Sequence, residues 1–115
     1  MVAYKLVPGF TGYRVGDDGS VWSSYDYKTR KFDGEWWPMK APPNGKGYRH
    51  LNLRQNSKYH RRFVCWLVLE TFVGPRPLGH EACHKNGNQG DDRLTNLRWG
   101  TKLSNEHDKR EHGTD

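Results

Sequence analysis

The sequence predicts an α+β protein, with antiparallel β-hairpins in its N-terminal part followed by a strand–loop–strand–helix unit. Three observations carry that expectation. Residues 4–24 alternate roughly by twos around the turn signal Asp17-Asp18-Gly19-Ser20, which marks a hairpin. A second alternation, over residues 48–53 and 59–63, is broken by Gln55-Asn56-Ser57-Lys58. In residues 81–113, a short strand ending in Cys83-His84 and a second strand around Leu97-Arg98-Trp99 flank a loop too polar to bury. Thr101 is then placed to N-cap a helix of about residues 102–112, which Gly113 stops.

In chain order, Tyr4, Leu6, Tyr13, Val15 and Val21 supply the apolar positions of the first hairpin. Residues 28–35 are charged and read as a loop. Residues 36–39 read as a strand returning to the sheet, ended by Ala41-Pro42-Pro43-Asn44-Gly45. Adjacent residues on a strand face opposite ways. One of Trp36 and Trp37 therefore belongs to the core, and the other stacks on a neighbour or lies at a binding surface. The second hairpin sets Leu51 and Leu53 on one face and carries Arg49, His50, Arg54, Lys58, His60, Arg61 and Arg62. A cationic face on such a ribbon suits phosphate contact or groove insertion, although any one of these arginines reads equally well as solvated surface. Residues 64–72 are apolar, with Val64, Val68 and Phe72 at helical spacing, but periodicity does not separate a buried helix from a buried strand. Cys65, inside that run, reads as a small buried hydrophobe. Residues 74–79 form a stiff connector into a strand ending in Cys83-His84. After the polar loop of residues 85–93, a second strand is expected around Leu97-Arg98-Trp99, with Leu94, Leu97 and Trp99 in the core.

With 115 residues the chain is long enough for one domain, or one domain with a small N-terminal extension. A mean hydropathy of −1.07 and 33% hydrophobic residues leave a small core, which must lean on 5 Trp, 6 Tyr and 4 Phe. The net charge is +6 and the sequence pI about 9.5. Basic and aromatic residues interleave in RKFDGEWW, GYRHLNLRQNSKYHRRF and RLTNLRW, the footprint of a polyanionic partner. Cys65 and Cys83 form no C-x-x-C pair, which excludes a disulfide scaffold and a four-cysteine zinc site. Residues 1–10 lack the basic start and apolar run of a signal peptide, and the run of residues 63–69 is too short to span a bilayer. No membrane role and a cytoplasmic location are the expectation.

Four side chains of the C-terminal unit can meet: Cys83, His84, Asn96 and Asn105. A neutral imidazole is the group best suited to take a proton from water near neutral pH. Oxygen or thiolate ligands can hold a divalent ion beside it, and an amide such as Asn96 can fix the ring's orientation. Such a set suits metal-assisted hydrolysis of a phosphodiester.

The order His84, Asn86-Gly87, Asp91-Asp92-Arg93, Asn96-Leu97-Arg98-Trp99-Gly100-Thr101, Asn105 resembles the HNH endonucleases, the ββα-metal or His-Me finger nucleases, in the variant whose last His is Asn. Upstream, Val7-Pro8-Gly9-Phe10, Tyr13-Arg14-Val15 and Asp18-Gly19-Ser20-Val21-Trp22-Ser23 are similar to the DNA-binding motif that precedes HNH modules in phage and homing nucleases. Gly47-Tyr48, Leu51-Asn52-Leu53 and Leu67-Val68-Leu69-Glu70-Thr71-Phe72-Val73-Gly74-Pro75 are similar to the linking strand and helix.

The resemblance implies a DNA-binding β motif over residues 1–46 and a nuclease module over residues 47–115, with residues 64–72 helical. It implies a metal-dependent endonuclease that leaves 5′-phosphate and 3′-hydroxyl ends. His84 would be the general base, with Asn96 tying down the loop and orienting that base. Asn105 would ligate the metal, with Asp108 as a further ligand one turn on, and Cys83 stands where the family commonly places a first-strand ligand. Regular alternation aims Cys83 and His84 apart, so both reach one ion only if the strand breaks there. One divalent ion is implied, Mg²⁺ or Mn²⁺, or Zn²⁺, Co²⁺ or Ni²⁺ if Cys83 ligates. DNA would be held by Arg49, Arg54, Lys58, Arg61, Arg62 and Trp37, with Arg93 or Arg98 meeting the scissile phosphate. The protein would act as monomer or dimer, with a phage packaging or DNA-processing partner. Two other readings stay open: a non-cleaving DNA-binding module with a decayed site, and a zinc-structural domain built on Cys83, His84 and His107 or His112.

Overall fold

The computed structural model describes residues 1–32 and 34–101. The expected hairpins are there. A four-stranded antiparallel sheet runs in the order β1 (Tyr4–Leu6), β2 (Tyr13–Gly16), β3 (Val21–Ser23) and β4 (Trp37–Pro38). The turn joining β2 to β3 is residues 17–20, where Ser20 N donates to Asp18 Oδ1 at 3.0 Å, an aspartate closing its own turn. Trp37 pairs with Ser23 on β3 and stands 61% exposed. Trp36 is half-buried, its ring 4.6 Å from the Arg14 guanidinium. The two tryptophans divide as strand alternation requires, although Trp36 covers a cation rather than entering the core.

The second hairpin pairs β5 (His50–Gln55) with β6 (Lys58–Phe63). Its two-residue turn holds Asn56 at φ 54° and Ser57 at φ 63°, the left-handed pair whose twist matches the flanking strands. Leu51 and Leu53 are buried together. Arg54 N donates to the Tyr13 hydroxyl at 2.7 Å, tying this ribbon to β2. Residues opposite each other in an antiparallel pair share a face. Arg62 opposes Leu51 and His60 opposes Leu53, whereas Arg61 opposes Asn52 and Tyr59 opposes Arg54. The cations therefore divide between the two faces instead of lining one. Arg62 and His60 lie against Phe10 on the inner side, at 5.3 Å and 5.7 Å; Arg54 and Arg61 are on the outer side.

Residues 64–72 form helix α1 (Val64–Phe72). Val64, Cys65, Leu67, Val68 and Leu69 are all buried, so apolar contact nearly surrounds the helix, which is why its sequence shows no clean amphipathic stripe. One cluster joins Val7 and, from the first sheet, Tyr13, Val15 and Val21 to Leu51, Leu53, α1 and Leu97. Beyond α1, β7 (Glu81–His84) and β8 (Leu97–Gly100) pair antiparallel, with a short 3₁₀ turn at Leu94–Asn96 before β8. The two strands of the expected strand–loop–strand–helix unit are thus in place, while the helix expected over residues 102–112 lies outside the described residues.

Candidate active site around His84

The loop between β7 and β8 is folded around one amide. Asn96 is 6% exposed. Its Oδ1 accepts from Asn86 N at 3.0 Å, and its Nδ2 donates to Asn86 Oδ1 at 3.0 Å and to Asp91 O at 2.9 Å. Asn86 Nδ2 donates to Asp91 Oδ2 at 3.0 Å. Arg93 clasps the same carboxylate through Nε at 2.8 Å and Nη2 at 2.7 Å. Those charge-assisted bonds hold the Asp91 carboxyl at about 2, below its ordinary value, with Arg93 as the largest cause. The polar composition of residues 85–93 is thereby satisfied internally, as an irregular loop at a strand junction requires.

With its neighbours fixed in this way, Asp92 turns inward and is 2% exposed. Its Oδ1 lies 2.8 Å from His84 Nε2, and its Oδ2 lies 3.4 Å from Arg49 Nη1. A carboxylate accepting the Nε2–H fixes the neutral imidazole in the tautomer whose lone pair is on Nδ1. Arg49 is the second strut. Nη2 donates to Gly19 O at 3.2 Å and Nε to Ala41 O at 3.4 Å. Gly19, at φ +86°, is held so close that an added Cβ would stand 2.9 Å from Asp92 O, so its position requires glycine. Leu94 N donates to Asp17 O at 2.8 Å. The β2–β3 turn, Arg49 and the 85–93 loop together brace His84, which is itself 5% exposed and has the Tyr48 ring at 5.9 Å.

Cys65 of α1 completes the surroundings. Its Sγ, a His84 nitrogen and an Asp92 oxygen all lie within 4.8 Å of one another, and among the described residues this is the one His, Cys or acidic group placed to share a metal ion. Sulfur, imidazole and carboxylate together suit a borderline ion such as Zn²⁺, whereas Mg²⁺ takes oxygen ligands and keeps waters. All three are buried, and imidazole and carboxylate already bond each other, so the group does not fit a hard ion that must also meet a phosphate. Burial, with the Asp92 charge as a lesser cause, pushes the Cys65 thiol up to about 12. Iodoacetamide at about pH 8 is therefore expected to leave Cys65 unmodified in the folded protein and to label it in denaturant. Native labelling as fast as that of a free thiol would show that Cys65 does not lie in this core.

The other expected site residues divide as follows. Cys83 is 1% exposed, with Sγ 3.6 Å from Glu81 O; β7 stays regular, and the sulfur grouped with His84 is that of Cys65. Asn105, Asp108, His107 and His112 lie outside the described residues, and with them the expected convergence of His84 and Asn105. Arg49 is turned inward on Asp92, and Arg93, itself exposed, is paired with Asp91. Lys58 and Arg61 are exposed, and Arg98 is half-buried. In the sequence Asp92 is one of two adjacent acids and Arg49 one of several hairpin cations. The available signal was a second acid beside Asp91, which Arg93 already occupies.

Residues 62–107 match the HNH endonuclease family. Across 96% of this chain, 30% of residues are identical to DNA endonuclease I-HmuI of Bacillus phage SP01. The match spans 59% of that relative's length. A solved structure of the HNH homing endonuclease I-HmuI, described as one of DNA binding and cleavage, superposes with a TM-score of 0.78 at 28% identity. That superposition covers 98% of this chain and 60% of the other.

Proposed function

We propose, from a chain that belongs through residues 62–107 to the HNH endonuclease family, that this protein hydrolyses DNA phosphodiesters. The observation that carries the reading is the buried His84–Asp92 pair at 2.8 Å, at the end of β7 where the family pattern puts its base. His84 Nδ1 takes the proton of the water that attacks phosphorus, and Asp92 holds the ring from the other side and stabilises the imidazolium that forms. Asn96 acts at one remove, by folding the loop that presents Asp92. The leaving group is the 3′ oxygen, giving 5′-phosphate and 3′-hydroxyl ends. A divalent ion supplies Lewis-acid stabilisation of the phosphate when bound; Asn105 and Asp108, as oxygen donors suited to Mg²⁺ or Mn²⁺, are the residues proposed to hold it. Arg93 or Arg98 is proposed to meet the scissile phosphate. Residues 1–46 and the second hairpin grip the DNA.

Supercoiled plasmid incubated with Mg²⁺, Mn²⁺, Zn²⁺ or EDTA tests the activity. Relaxed or linear product in Mg²⁺ or Mn²⁺ and none in EDTA is expected. Intact plasmid in every metal would overturn the nuclease reading in favour of a DNA-binding module without activity. Of the hairpin cations expected to hold DNA, Arg54 and Arg61 lie on the outer face and Lys58 is exposed beside the turn. Three phosphate contacts from these side chains predict that affinity falls about 40-fold between roughly 50 and 200 mM salt. Flat affinity over that range would overturn the basic-surface argument.

A further inference from the structure

On the outer face of the second hairpin lies a cleft of about 850 Å³ that shares no lining residue with the His84 site. Its walls come from three parts of the chain: Asn52, Arg54 and Tyr59 of the hairpin, Tyr25 and Tyr27 of the β3–β4 loop, and Trp37 of β4. Three of its rings are largely exposed: Tyr27 77%, Trp37 61% and Tyr59 60%. The Arg54 guanidinium sits 5.3 Å from the Tyr59 ring centre and 5.5 Å from that of Tyr25, and Nη1 donates to the Tyr59 hydroxyl at 3.2 Å. Tyr25 and Tyr27 meet edge to face at 4.8 Å. These contacts hold a cation and a set of π-faces in fixed array.

We infer that this cleft binds unpaired nucleobases of a DNA strand, stacking them on Trp37, Tyr59 and Tyr27 while the cations beside it hold the phosphates. An aromatic wall beside a cationic track is how proteins take up single-stranded nucleic acid, since every base has a π-face. Paired bases present their edges and keep their faces stacked, so a duplex would leave these rings without partners. The charge fits: Lys28 and Lys40 line the cleft with Arg54, and Arg61 stands on the same hairpin face as Asn52. Two acids also line it, Asp26 and Glu35. Asp26 Oδ1 accepts from Lys28 N at 2.9 Å, and Asn52 and Glu35 can meet the polar edge of an unstacked base. The cleft takes hold of a strand away from the bond to be cut.

The inference rests on the reading that this chain binds DNA, and the experiment separates the two. The full chain, in EDTA to prevent cleavage, is titrated against an end-labelled duplex with a central three-nucleotide gap and against the same duplex without it. Affinity for the gapped DNA is expected to be about tenfold higher, and Trp37→Ala or Tyr59→Ala should each abolish most of that preference, read as the ratio of gapped to intact affinity within each variant. Both side chains are exposed, so the core is unaffected by either change. Equal affinity of the unsubstituted protein for the two DNAs, or a preference that both variants retain, would overturn the cleft assignment and leave plasmid cleavage as it was. Loss of plasmid cleavage with the gap preference intact would overturn the nuclease reading alone.

Discussion

His84→Ala is expected to lower plasmid cleavage by about 10²–10⁴-fold, the range a positioned general base contributes, while DNA affinity changes less than about twofold. The imidazole is 5% exposed and none of the outward hairpin cations touches it, so DNA binding and proton transfer depend on different side chains. Its removal leaves Asp92, 2% exposed, as a buried carboxylate that has lost one of its two charged or hydrogen-bonded partners, at a cost of about 1–3 kcal/mol. His84→Gln is therefore made alongside, because its amide can still donate to Asp92 but cannot act as a base near neutral pH. Matched melting temperatures for His84→Gln and the unsubstituted protein, with cleavage lost, assign the loss to chemistry. Cleavage at the original rate in either variant would end the assignment of His84 as base.

Much of this architecture could be read from the chain because its determinants are local. The turns at residues 17–20 and 55–58 carry their own chemistry, an aspartate closing one and a left-handed pair closing the other. The β7 and β8 strands were visible as short segments on either side of a loop too polar to bury. The helix α1 was ambiguous because it is buried nearly all round, which erases the polar face that distinguishes helix from strand. The site itself was half legible. His84 and Asn96 stand out by their pattern, and the amide of Asn96 does tie the loop. Asp92 and Arg49 do not stand out, because their pairing joins residues 43 positions apart and depends on how the β2–β3 turn packs against a loop. No spacing rule reports such a contact. Two adjacent acids look alike in a sequence; the fold gives one to Arg93 and the other to His84.

That division yields the second large effect. Asp92→Asn is expected to lower the cleavage rate on the order of 100-fold, with little change in DNA affinity, because an amide can present its NH₂ to Nε2 and favour the tautomer with its lone pair on the wrong nitrogen. Asn is nearly isosteric, so the packing against Gly19 is kept; Asp92→Ala would leave the half-buried Arg49 without its carboxylate and endanger the fold. A merely structural role for Asp92 predicts something different. In that case the loss of cleavage should track the loss of stability, and it should be repeated when Arg49→Lys or Arg49→Met weakens the same brace. If Asp92 works through the ring, its effect should vanish in a background where the ring is already gone. The double variant His84→Gln/Asp92→Asn should then cleave no more slowly than His84→Gln alone, since two groups acting as one unit are not additive. A further large loss of residual cleavage in the double variant, or a single Asp92→Asn variant as active as the unsubstituted protein, would remove Asp92 from the site and leave it as a strut between the loop and Arg49.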